Sequence, residues 1–109
     1  SGGNRQKHLI SRWMFPRPPR VLLLAQPTQG VDVGAKADIA GAVRAMAAKG
    51  TTVLVASAES DEITLLCDRA YVMYGGRTAP VDRTSRFGGE LLSTLLELSD
   101  RTSPKEEVA

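Results

Sequence analysis

The sequence holds a single cysteine, Cys67, which excludes an internal disulfide framework and a cysteine-rich zinc site and suits a reducing compartment. Aromatic residues make up only 5% of it. No acid precedes Asp32, whereas Arg5, Lys7, Arg12, Arg17 and Arg20 all do. Such a basic end suits either an anionic partner or a solvated helix face followed by an Arg-rich turn. Only Trp13 and Phe15 are aromatic in that stretch, so the interleaved rings that stack bases are missing and nucleic acid is set aside as a partner. The longest apolar runs, Val21 to Ala25 and Val53 to Ala56, fall far short of the roughly 20 residues of a membrane helix. Nothing resembles a signal peptide.

What remains is the composition of an ordinary soluble globular domain. Of 109 residues, 42% are hydrophobic and 24% charged, with a net charge of +2, which is too apolar and too near neutrality for a disordered chain. A small polar start, Ser1-Gly2-Gly3-Asn4, leads into a helical pattern with Leu9, Ile10, Trp13 and Met14 on one face. Pro16, Pro18 and Pro19 end it. Val21 to Ala25 reads as a strand buried on both faces, followed by a Pro/Thr/Gly/Asp loop over residues 26–34. A helix is expected from Ala35 to Ala48, with Ile39, Val43, Met46 and Ala47 as its apolar stripe and Lys49-Gly50 closing it. Thr51 to Ser57 is a second strand, which completes a parallel βαβ unit. Ser60 is expected to cap a short helix running through Cys67. In that segment Glu59, Asp61 and Glu62 read as a solvated, dipole-complementing start. Ala70 to Tyr74 and Arg77 to Val81 flank Gly75-Gly76, a two-residue hairpin signal. Leu91, Leu92, Leu95 and Leu96 mark a last amphipathic helix, and residues 99–109 read as a flexible tail. One βαβ unit with helices on one side buries too little for its length, so the pattern reads as part of a larger α/β domain.

The ordered motifs resemble those of ABC-transporter nucleotide-binding domains. Ser1-Gly2-Gly3-Asn4-Arg5-Gln6-Lys7 resembles the signature motif, and Val21 to Thr28 stands in the place of the Walker B strand. Gln29 to Lys36 is similar to the D-loop region, and Cys67-Asp68-Arg69 and Gly76-Arg77 bracket the next strand at the expected spacing. The resemblance covers residues 1–81. It implies a partial P-loop NTPase fold of the RecA-like kind, with a parallel βαβ core, a β-hairpin and a C-terminal helix. Residues 1–98 would then be the C-terminal portion of the domain, with the phosphate-cradling Walker A loop upstream of Ser1. Asn4, Trp13 and Gly30-Val31-Asp32-Val33-Gly34-Ala35 resemble the second nucleotide-binding domain of tandem monosaccharide importers. Ala25-Gln26-Pro27-Thr28 resembles a neighbouring nucleoside-importing group, so the solute stays open between the two.

The chemistry divides unevenly among these motifs. Backbone N–H groups at a helix start point at anions, and Gly2 and Gly3 let a phosphate approach without a Cβ in the way. The resemblance therefore implies that Ser1, Gly2, Gly3 and Asn4 meet the phosphate of ATP held with Mg²⁺ mainly by a partner domain. Two roles fit Asp32: capping the following helix, or reaching across a dimer as the family's D-loop does. At the Walker B positions, where the family carries a metal-holding aspartate and a water-polarising glutamate, stand Ala25 and Gln26. Alanine offers no oxygen, and an amide cannot take a proton from water. The switch histidine falls at Ala58, while His8, the only histidine, lies in the signature segment as a surface or interface residue. No catalytic residue and no metal ligand is expected here. The implied partners are another nucleotide-binding domain, on the same polypeptide or in a dimer, and a membrane permease. The implied location is cytoplasmic, peripheral on the inner face of the cell membrane. A rival reading keeps the fold but makes the chain an inert dimerisation or regulatory module.

Overall fold

The structure, a computed structural model, describes Arg12 and residues 17–82 and 87–101. The signature segment and the expected first helix, apart from Arg12, lie outside the described residues. Two compact units divide at Leu66/Cys67.

In the first unit, Thr52 N–H donates to the Arg20 carbonyl at 2.9 Å and the Thr51 hydroxyl to the Pro19 carbonyl at 2.7 Å. These bonds align strand β1 (Val21–Ala25) with the parallel strand β2 (Thr52–Ala56), pairing Val21 with Thr52 and Ala25 with Ala56. The crossover is helix α1 (Val33–Ala48), which begins two residues before the expected Ala35. The reason is the cap. Asp32 is extended, its Oδ1 accepts from Ala35 N–H at 2.8 Å, and its carbonyl accepts the first helical bond from Lys36. At the other end Gly50 adopts φ +102°, a region that disfavours side chains. Thr51 N–H then returns to Met46 O and Gly50 N–H to Ala47 O, the bonding pattern of a Schellman stop. Ile39, Ala40, Val43 and Met46 form the buried stripe, whereas the expected Ala47 is exposed.

β1 is buried on one face only, contrary to the expectation of two. Leu22 and Leu24 are buried, while Leu23 is 68% exposed, with Val21 and Leu54 exposed beside it. Helical cover among the described residues thus lies on one side of the two-stranded sheet, and the other side keeps an uncovered apolar face. Helix α2 (Ser60–Leu66) starts with Ser60 inside it, because the Glu59 carbonyl accepts the first helical bond from Ile63. Glu59 therefore holds the position expected of Ser60, and the helix stops one residue before Cys67. α2 packs on α1 and β2, and the Arg44 guanidinium of α1 donates to the Leu65 carbonyl at 2.8 Å.

The second unit pairs strands β3 (Ala70–Tyr74) and β4 (Arg77–Val81) antiparallel, with Tyr74 opposite Arg77. Gly75 and Gly76 both take positive φ, as a tight primed turn requires. Helix α3 (Phe87–Arg101) packs on both strands and buries Phe87, Leu91 and Leu98 against the face carrying Ala70, Val72 and Val81. Leu92 and Leu96, expected in the stripe, are exposed. The helix also takes in Ser99, Asp100 and Arg101, residues expected in the tail.

Candidate functional site

The carboxyl ends of β1 and β2 lie side by side, and chemistry in open parallel sheets gathers at such ends. Gln26 N–H donates to the Ala56 carbonyl at 2.9 Å, which adds one rung beyond the last paired residues. The backbone then turns sharply, with Gln26 at φ +50°, the one non-glycine residue at positive φ among those described. This left-handed step swings the side chain toward the segment leaving β2. Its Oε1 accepts from the Ser57 hydroxyl at 3.0 Å and from Ala58 N–H at 3.3 Å. The same Ser57 Oγ accepts from Glu59 N–H at 2.9 Å, which shapes the entry to α2.

Beyond Gln26 the loop descends through two turns, Gln29 N–H to the Gln26 carbonyl and Val31 N–H to the Thr28 carbonyl. Pro27 and Thr28 are buried at its centre. There Glu62 Oε2 accepts from Thr28 N–H at 2.6 Å and also from the Thr28 hydroxyl. Glu62 is 5% exposed, and its Oε1 is buried with no hydrogen-bond partner among the described residues. The solvated acidic start expected over residues 59–62 is thus corrected at Glu62, which points inward while Glu59 and Asp61 stay exposed. A signal for this existed, since Glu62 stands four residues before buried Leu66 and so on the same helix face.

Of the residues singled out from the sequence, Gln26 and Ala58 are brought into contact. Ala25 ends β1 exposed beside them, and Asp32 caps α1 at the far end of the loop. Ser1, Gly2, Gly3 and Asn4 lie outside the described residues. A Mg²⁺ shell does not fit this strand end: Ala25 has no donor atom, the Gln26 oxygen already accepts two bonds, and Glu62 is committed to Thr28. Among the described residues there is no group of three or more His, Cys, Asp or Glu placed to hold a metal, and no helix long and apolar enough to cross a membrane.

No family model matches the chain. Similarity to curated proteins is nevertheless high. A Burkholderia cenocepacia (strain HI2424) protein, provisionally named ribose/galactose/methyl galactoside import ATP-binding protein 1, is 52% identical over 84 residues, 76% of this chain. The ribose import ATP-binding protein RbsA of Shigella dysenteriae is 53% identical over 79 residues, 72% of the chain, and that of Yersinia pestis is 51% identical over the same length. This chain matches a segment of the ABC ATP-binding proteins of sugar importers. The chain spans only 16% of the Burkholderia and Shigella relatives and 15% of the Yersinia one. Its mixed α/β architecture, with a parallel strand pair, a hairpin and a C-terminal helix, agrees with a partial nucleotide-binding domain of this kind.

Proposed function

We propose that the chain is the C-terminal part of a second nucleotide-binding domain in the ATP-binding subunit of a monosaccharide importer. It presents Ser1, Gly2, Gly3 and Asn4 to the phosphate of ATP bound with Mg²⁺ by the partner domain, while its own hydrolytic position is inert. The supporting observation is the end of β1. Ala25 offers no carboxylate, and the Gln26 amide serves as an acceptor for Ser57 and Ala58. Phosphoryl transfer rests on charge stabilisation of the phosphate and orientation of the attacking nucleophile, and these groups supply neither. Asp32, held by its capping bond at the loop's end, belongs to the segment that faces the partner domain. Through closure on ATP the subunit drives a membrane permease, on whose cytoplasmic side it sits.

The test compares Gly2→Asp with Gln26→Ala in the full-length transporter, with rates taken per folded protein. Gly2→Asp places a side chain and a negative charge where phosphate approaches. ATPase and uptake are expected to fall about ten- to a hundredfold, the range for charge-assisted hydrogen bonds lost there. Gln26→Ala is expected to leave turnover within a few-fold of native. A larger loss from Gln26→Ala would mean that this domain's own site is active. No loss from Gly2→Asp would favour the inert dimerisation module instead.

A further inference from the structure

The buried Glu62 has no part in the reading above, and its environment is unusual for a residue kept for stability alone. Its carboxylate is taken from water with donors on one oxygen only, both from Thr28, while the other oxygen is buried without a partner. A buried ionic or polar group so incompletely bonded is generally no more stabilising than an apolar residue of similar volume. The neighbouring position on the same helix face, Leu66, is apolar and buried. What Glu62 provides and leucine cannot is direction. It fixes one particular N–H, that of Thr28, whose carbonyl in turn accepts from Val31 N–H beside Asp32. α2 is itself tied to α1 through the bond from Arg44 to the Leu65 carbonyl, so Glu62 projects from an anchored support.

We propose that Glu62 is a positioning residue that clasps Thr28 and thereby sets where residues 28–32 carry Asp32. The loop leaving β1 and the helix after β2 then shift together. The clasp itself follows from the geometry of this unit. Its consequence for ATP turnover rests on the reading above, in which that loop faces the partner domain.

The experiment uses the full-length protein, with hydrogen exchange followed at Thr28 N–H and ATPase kinetics measured alongside. Glu62→Leu keeps the volume and removes the acceptor. Exchange at Thr28 is expected to quicken about ten- to a hundredfold, as for loss of a hydrogen bond to a charged group, while amides within β2 keep their native rates. Glu62→Gln retains a neutral acceptor oxygen and should return part of that protection, leaving exchange within about tenfold of native. In the kinetic arm, Glu62→Leu lowers kcat with little change in KM for ATP, and Glu62→Gln recovers kcat. Should Glu62→Leu not fold, Thr28→Val removes only the hydroxyl from the clasp and is expected to lower kcat in the same sense. Native exchange at Thr28 in Glu62→Leu, or equal kcat in the Leu and native proteins, would overturn the proposal. If the native full-length protein hydrolyses no ATP, the importer reading fails, and the exchange arm still decides the clasp.

Discussion

The left-handed backbone at Gln26 sets two opposing terms on one residue, and substitution can separate them. Holding a non-glycine residue at φ +50° costs about 1–2 kcal/mol relative to an ordinary conformation. Against that stand the two hydrogen bonds accepted by Oε1. Each contributes about 0.5–1.5 kcal/mol, at the lower end here because Ala58 N–H is exposed and water can replace the lost acceptor. Gln26→Ala removes both bonds and keeps the strain, so it is expected to destabilise by about 1–2 kcal/mol. Gln26→Gly removes the bonds and the strain together. Its more flexible unfolded chain returns about 0.4–1 kcal/mol of the gain, which leaves glycine ahead of alanine by about 0.5–1 kcal/mol. In the larger domain of which this chain is a part, that difference is about 1–4 °C in Tm, readable in parallel far-UV circular dichroism melts of the full-length variants. The order native, then Gly, then Ala is the expected one. Alanine equal to or above glycine would refute the strain at this position, and native behaviour in both variants would refute the bonds to Ser57 and Ala58.

Asp32→Ala removes the acceptor for Ala35 N–H and should cost about 1 kcal/mol in the same melts, while Asp32→Asn, still a good cap, should cost only a few tenths. Met46 has no exposed surface, so Met46→Ala should destabilise by about 2–5 kcal/mol. Ala47→Ser, on the exposed side of the same helix, is expected to stay within about 0.5 kcal/mol of native. Equal effects at positions 46 and 47 would place the buried stripe of α1 wrongly.

The βαβ unit and the hairpin are legible because the apolar run Val21 to Ala25 lies between Pro19 and Pro27, the run Val53 to Ala56 follows the helix-closing Gly50, and Gly75-Gly76 is a strong two-residue hairpin signal. α1 starts two residues before its apolar pattern begins. Val33 and Gly34 look like loop, and only the observed bond from Ala35 to Asp32 shows that they already form the first turn. A run of five apolar residues does not say how many layers cover it, and Leu23 is exposed. The strand-end chemistry was legible as missing groups at Ala25 and Gln26. What those groups do instead was not, because no composition signal marks a glutamine in left-handed backbone, where glycine or asparagine is usual. Glu62 was hidden by its neighbours. An acid in the first turn of a helix suits the dipole so well that an inward-facing one reads the same; the spacing to Leu66 hints at the inward face, and the contact with Thr28, across 34 residues of chain, decides it.

α1 is stopped at both ends by geometry that tolerates no slack, with the Asp32 cap at one and the Gly50 turn at the other. Its 16 residues span about 24 Å between those stops, and the strands it joins are held in a single register. Adding or deleting one residue inside it would rotate everything beyond the change by about 100° and carry part of the stripe from Ile39 to Met46 out of the core. This helix can therefore diverge between related proteins by substitution but not by insertion or deletion. Length variation should instead collect where neither a cap nor a strand register counts residues.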